Sequence, residues 1–193
     1  MLIGLTGGIG SGKSVIAEQL RKMGYAVYDT DSEAKRLIVT DKHVRNQIEG
    51  LFGKEVYANG VYQTDMIAQR VFSDKSLLAQ LNAIVHPAVK ADILRWSSQR
   101  ESDIQFVECA ILYQAGFDKL CDKIVAVTAP EDVRIARVIA RDHTCVNKVR
   151  ARMRSQRTEE DIMHADLVVN NDGKSEIITI CLQIRDFFCN FAG

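Results

Sequence analysis

Apolar and polar positions along the chain repeat on two length scales. Short apolar runs stand at Leu2–Thr6, Ala26–Asp29, 104–109, Lys123–Thr128 and Leu167–Asn170, separated by longer segments in which apolar residues recur at helical spacing. Strands that read as near-continuous apolar runs are buried on both faces, which is the signature of a parallel sheet covered by helices. The pattern therefore predicts an α/β fold with a five-stranded parallel sheet flanked by helices. About seventy residues between the second and third runs have helical patterning and no comparable strand. That is too long for an ordinary crossover and predicts an inserted helical region. Within it Ala68, Phe72, Leu78, Leu81, Ile84 and Val85 recur at helical spacing and are expected to be mainly core, whereas 54–63 reads as a turn-rich excursion. A second helical excursion, 131–156, is rich in arginine, and 175–191 reads as a last covering helix.

With 193 residues, no internal repeat, no low-complexity tract and only two prolines, the chain reads as one domain spanning 1–193. Its expected parts are a core (1–32, 101–130 and 158–193), a helical insertion (33–100) and a helical flap (131–157). Lysine and arginine total 25, as do aspartate and glutamate, so no overall field favours nucleic acid or an acidic membrane, and anion binding has to be local. No stretch approaches the ~20 apolar residues of a membrane span. The N-terminus runs straight into a glycine loop without a signal-peptide pattern, which predicts a cytoplasmic protein. The five cysteines form no C-x-x-C pair and read as reduced, buried thiols.

Local anion binding has an obvious seat. Gly7-Gly8-Ile9-Gly10-Ser11-Gly12-Lys13-Ser14 fits the P-loop pattern and lies between a predicted strand and a predicted helix. Glycines let successive backbone N–H groups converge on phosphate oxygens, and the following helix adds the positive end of its dipole. Lys13 is placed to reach the β- and γ-phosphates of ATP, and the Ser14 hydroxyl to ligate Mg²⁺. The contacts expected for the nucleotide are Gly8, Ile9, Gly10, Ser11, Gly12, Lys13, Ser14 and Val15.

Three further groups belong to the same predicted sheet edge. Asp29-Thr30-Asp31 closes the second strand, with Asp31 the candidate base for an acceptor hydroxyl and Asp29 assisting; capping of the helix that follows is the competing role. Glu108, at the end of the third strand, could hold a water of the Mg²⁺ shell, or be a plain strand-end acid. Arg134, Arg137 and Arg141 recur at i, i+3 and i+7 on one helix face, followed by Arg150, Arg152, Arg154 and Arg157. Such a basic flap suits closure over a triphosphate; a solvated face paired with Asp132, Asp142 and Glu159 is the alternative.

These residues together resemble the dephospho-coenzyme A kinase family. The similarity lies in Gly4-Leu5-Thr6 leading into the P-loop, in Asp29-Thr30-Asp31, in Val71-Phe72 and Leu81-Asn82-Ala83-Ile84-Val85-His86-Pro87, in 137–141 and 152–156 of the flap, and in 166–173. The resemblance covers nearly the whole chain. It implies ATP-dependent phosphorylation of the ribose 3′-hydroxyl of dephospho-coenzyme A, with the insertion as acceptor-binding region and the flap as lid. Carried over by position, Lys13 binds phosphate, Asp31 is the acceptor-side base and Arg141 is a lid arginine serving the phosphates. After the third strand Cys109-Ala110-Ile111-Leu112 runs into Tyr113-Gln114, where many members have an apolar residue, proline, two leucines and later an acid. Shikimate kinase shares the P-loop and Asp-x-Asp, but its glycine-rich turn after the third strand is missing here. A GTPase is disfavoured because Asn147-Lys148-Val149-Arg150 lacks the aspartate of the guanine-reading motif.

Overall fold

The computed structural model describes residues 1–100, 102–154 and 162–189. By its contacts the chain divides into two compact units, Met1–Tyr28 with Arg100–Gly193, and Asp29–Gln99. The first contains a five-stranded sheet in the order β2-β3-β1-β4-β5, built from β1 (Leu2–Thr6), β2 (Ala26–Asp29), β3 (Gln105–Glu108), β4 (Lys123–Thr128) and β5 (Leu167–Asn170). The apolar runs predict these strands to within a residue at each end. Leu5 faces Glu108, Thr6 faces Ala126 and Thr128 faces Asn170, all in parallel register. Glu108, Thr128 and Asn170 therefore end their strands on the carboxyl edge, where β1 enters the glycine loop and where ligands of open α/β sheets collect.

Helix α1 (Lys13–Lys22) places Ile16, Ala17 and Leu20 against the sheet, all fully buried with Ile3, Leu5 and Phe106 in one core cluster. Burial of Ile16 and Leu20 contributes roughly 1.5–3 kcal/mol each. It also fixes the first turn of α1, which carries Lys13 and Ser14. The helical flap consists of two helices, α6 (Glu131–Asp142) and α7 (Val146–Arg154), separated at His143, whose left-handed φ of 48° ends the first. They share a small core of Ile135, Val138 and Val149, against which Ile9 of the glycine loop also packs. Gln156 and Arg157 of the predicted flap, and Glu159 beyond it, lie outside the described residues. The covering helix α8 (Ile177–Cys189) buries Ile180, Cys181, Ile184 and Phe188 in the main core; 190–191 lie outside the described residues.

The second unit is helical, with α2 (Thr30–Thr40), α3 (Lys42–Phe52), a kinked 3-10 segment Lys54–Gly60, α4 (Thr64–Ser73) and α5 (Lys75–Ser98). Three aspartates start these helices: Asp29, Asp41 and Asp74 each accept two amide hydrogen bonds at the N-terminus of α2, α3 and α5. Such caps contribute about 1 kcal/mol each. Asp74 also corrects the predicted core. The 68–85 period runs across the break that Asp74 makes, so it joins two different helices. Phe72 is 93% exposed and Leu78 40%; the buried stripe of α5 is instead Val85, Val89, Asp92 and Ile93. Pro87 lies inside α5 and leaves the Ala83 carbonyl without its helical donor on an exposed face, where water can take its place. The buried Asp92 accepts from Arg36 (2.6 Å) on α2 and Arg95 (2.8 Å), closing α2 onto α5 with a paired charge. The cysteines are free, but only Cys109 and Cys181 are fully buried; Cys145 and Cys189 are exposed, because they fall at a helix start and a helix end.

Candidate active site

The loop leaving β1 is a tight turn. The Ser11 amide donates to the Gly8 carbonyl (3.0 Å), and the amides of Val15 and Ile16 donate to the Gly12 carbonyl, starting α1. Gly10 and Gly12 have φ of +80° and +87°, which only glycine adopts without strain. Space excludes a side chain as well. A Cβ on Gly10 would come 2.5 Å from the backbone oxygen of Arg134, and one on Gly12 would collide with the Asn171 side-chain amide. These two glycines thus serve the close passage of the flap helix and of the loop after β5, in addition to the shape of the anion nest.

Lys13 and Ser14 converge on one acid. Lys13 Nζ lies 3.0 Å from Glu108 Oε1, and Ser14 Oγ donates to the same oxygen at 2.6 Å. Lys13 and Glu108 have side-chain exposures of 12% and 6%, so the pair is largely withdrawn from water. Among the predicted site residues, these three are brought together through their side chains. Val15, expected at the nucleotide, turns its side chain outward at 53% exposure. Gly8 and Ile9 enter through their backbones.

The outward carbonyls of the loop are held from the flap side. Arg134 Nε donates to the Ile9 carbonyl (2.9 Å); Arg137 Nη1 donates to those of Ser11 (3.3 Å) and Asn171 (2.9 Å) and lies 3.5 Å from that of Gly10. Arg134 Nη2 is buried and has no hydrogen-bond partner among the described residues, and burial pushes its pKa down. The helical spacing predicts Arg134 and Arg137 on one face, and that face is the one against the glycine loop. Arg141, one turn further, is 62% exposed and bound to Asp142 through Nε (2.6 Å) and Nη2 (3.1 Å). Arg152 donates to the same carboxylate at 2.8 Å. The hydrogen bonds from Arg141 and Arg152 hold the Asp142 carboxyl down at about 2.

Asp29 and Asp31 are engaged differently in the second unit. Asp29 Oδ1 accepts from the amides of Asp31 (3.0 Å) and Ser32 (3.3 Å), and Oδ2 accepts from the Ser32 hydroxyl (2.7 Å). Its carboxylate is therefore a helix cap. Asp31, the second residue of α2, is exposed, and no hydrogen bond or ion pair engages its carboxylate among the described residues. His86 is half-buried and burial lowers its pKa. Asn171, 2% exposed, is a site residue that motif reading misses as a loop contact. The signal for it in the sequence is the polar run 170–173 at a strand end.

A parallel sheet in this order, with a glycine loop after β1 delivering a lysine and a serine to the start of α1, defines a P-loop kinase. The family profile described as dephospho-CoA kinase matches residues 1–176. The dephospho-CoA kinase of Porphyromonas gingivalis is 45% identical over 163 residues, covering 84% of this chain and 81% of that protein; that of Bacteroides fragilis is 38% identical over 187 residues, covering 96% and 91%. Among solved structures, protein TT1252 from Thermus thermophilus superposes with a TM-score of 0.85 at 34% identity, covering 97% of this chain and 96% of that one. The chain belongs to the dephospho-CoA kinase family.

Proposed function

We propose that the chain transfers the γ-phosphoryl group of ATP to the ribose 3′-hydroxyl of dephospho-coenzyme A, giving coenzyme A and ADP. The observation that carries this reading is the family match over 1–176 together with an intact phosphate loop whose lysine and serine meet at Glu108. The loop suits a polyphosphate electrostatically, because Lys13, Arg134 and Arg137 surround it while Glu108 is the acid in direct contact with Lys13. In the reaction Lys13 exchanges Glu108 for the β- and γ-phosphates, and the loop amides bind the phosphate oxygens. Asp31 orients the acceptor hydroxyl and takes its proton as the new P–O bond forms and the bond to the β-phosphate oxygen breaks.

Mg²⁺ fits the donors present. The Ser14 hydroxyl and the Glu108 carboxylate are adjacent oxygen groups, and no cluster of three or more His, Cys, Asp or Glu suited to a metal occurs among the described residues. That donor set suits a cation carried largely by nucleotide phosphates and water; Ser14 would be its ligand and Glu108 would hold a water of its shell. When bound, the ion neutralises charge on the phosphates. No helix among the described residues is long and apolar enough to cross a membrane.

Acceptor-dependent ADP release tests the substrate. Turnover is expected with dephospho-coenzyme A and not with shikimate or nucleoside monophosphates. Robust turnover with either alternative and none with dephospho-coenzyme A would overturn the acceptor and leave the P-loop kinase assignment standing.

The flap, 131–157 in this reading, acts as a lid with Arg141 turning from Asp142 to the phosphates. Its anchoring is uneven. The first turns of α6 are tied to the loop by Arg134 and Arg137, whereas α7 is held by Val149 and by exposed ion pairs of Arg150 with Glu131 and Arg152 with Asp142. Exposed pairs of this kind contribute little, because water screens them. Hydrogen exchange is thus expected to slow on addition of a non-hydrolysable ATP analogue mainly across Val146–Arg154, with the amides of 134–138 protected in both states. Equal protection throughout 133–154 with and without the analogue would remove the moving lid.

A further inference from the structure

A phosphate nest requires backbone N–H groups to face the ligand, which turns the intervening carbonyls outward. Those carbonyls need donors of their own, and whatever supplies them sets the shape of the loop. At the Ser11 carbonyl two donors meet: Asn171 Nδ2 at 2.9 Å and Arg137 Nη1 at 3.3 Å. Asn171 is itself immobilised. Its amide donates to the Thr128 carbonyl at 2.8 Å, continuing the β4–β5 ladder, and its carbonyl and Oδ1 accept from Arg137 at 2.9 and 3.3 Å. The side chain also fills the space that a Cβ on Gly12 would need. The sheet edge is in this way coupled to the phosphate loop through one buried amide.

We infer that Asn171, braced by Arg137, is a positioning residue for the nucleotide phosphates: it holds the Ser11 carbonyl turned outward, so that the amides of the loop stay directed at the phosphate oxygens. The inference rests on the proposed nucleotide role of the loop and adds to it a residue that works through the backbone without touching the nucleotide. It separates Asn171 from reading of the base, the role that its place after β5 suggests. A loop without this brace still presents Lys13, but its amides are no longer pre-set, so binding of the β-phosphate weakens while binding of the nucleoside does not.

The test is equilibrium binding of ADP, AMP and adenosine to the full chain, wild type and Asn171→Ala, with circular dichroism to establish folding. The ADP dissociation constant is expected to rise about tenfold, the equivalent of one buried hydrogen bond, with those of AMP and adenosine within about twofold of wild type. Arg137→Lys, which keeps the charge and loses the planar fork, is a second variant in case Asn171→Ala folds poorly; it is expected to show the same preference for loss at ADP. Because both residues act on one carbonyl, the double variant should lose less than the product of the single losses. Parallel losses for ADP, AMP and adenosine would make Asn171 a base contact and overturn the inference. Unchanged ADP binding in both folded variants would reduce the network to a packing role and also overturn it. Failure of wild-type protein to bind ADP at all would instead remove the nucleotide reading on which the inference stands.

Discussion

Lys13→Ala is expected to lower phosphoryl transfer by at least a hundredfold, the order of loss seen when one preorganised charge or donor is removed from a transition state. The lysine stands at the first turn of α1, outside the core that Ile16 and Leu20 make with the sheet, so the fold should persist. The ion pair with Glu108 adds a second, smaller consequence. Removing the ammonium leaves a carboxylate of 6% exposure with the Ser14 hydroxyl and no lysine, at a cost of about 1–3 kcal/mol in stability. The double variant Lys13→Ala, Glu108→Gln relieves that cost by removing the buried charge that the lysine faced. It should therefore recover much of the lost thermal stability and none of the activity. Turnover of the single variant within tenfold of wild type would end the assignment of this site.

Much of this arrangement is legible in the residues because it is local. Each strand is a run of four to six residues, those of β1 and β4 are buried on both faces and so demand apolar side chains, and the phosphate loop is a contiguous motif whose glycines, lysine and serine act within eight positions. The arginine face of α6 is legible as a face, since i and i+3 lie together on any helix. What that face meets is not. Nothing in the spacing of Arg134 and Arg137 indicates that they grip the carbonyls of Ile9, Ser11 and Asn171, more than thirty residues away in every case, because tertiary contact is set by sheet order and not by helical period. Asn171 is hidden for the same reason. The misplaced core at Phe72 and Leu78 has a different origin: a one-residue cap, Asp74, interrupts the period, and a capping aspartate looks like any other polar position between two apolar ones.

The same local resolution separates the two acids of Asp29-Thr30-Asp31. Two roles compete for two residues, and the hydrogen bonds of α2 give the cap to Asp29. Asp29 spends its carboxylate on the amides of Asp31 and Ser32 and on the Ser32 hydroxyl, whereas Asp31 leaves its own exposed and unengaged among the described residues. A base acts as the proton leaves the acceptor hydroxyl, so its removal weighs on the transition state more than on nucleotide binding. Asp31→Asn keeps the shape of the side chain and its place in the first turn, yet cannot accept the proton. Turnover is expected to fall by about 10²–10⁴-fold, with the dissociation constant for ATP within about threefold of wild type. Asp29→Asn is the control from the neighbouring cap: asparagine caps a helix nearly as well as aspartate, so both stability and turnover should stay close to wild type. Asp29→Ala, which removes the cap, should cost about 1 kcal/mol in stability and affect the reaction only through α2. Initial rates with saturating dephospho-coenzyme A, paired with calorimetric ATP binding, decide between these outcomes. Equal losses of turnover and ATP affinity in Asp31→Asn would make Asp31 a metal or phosphate contact, and a loss in Asp29→Asn as large as that in Asp31→Asn would transfer the role of base to the residue that caps the helix.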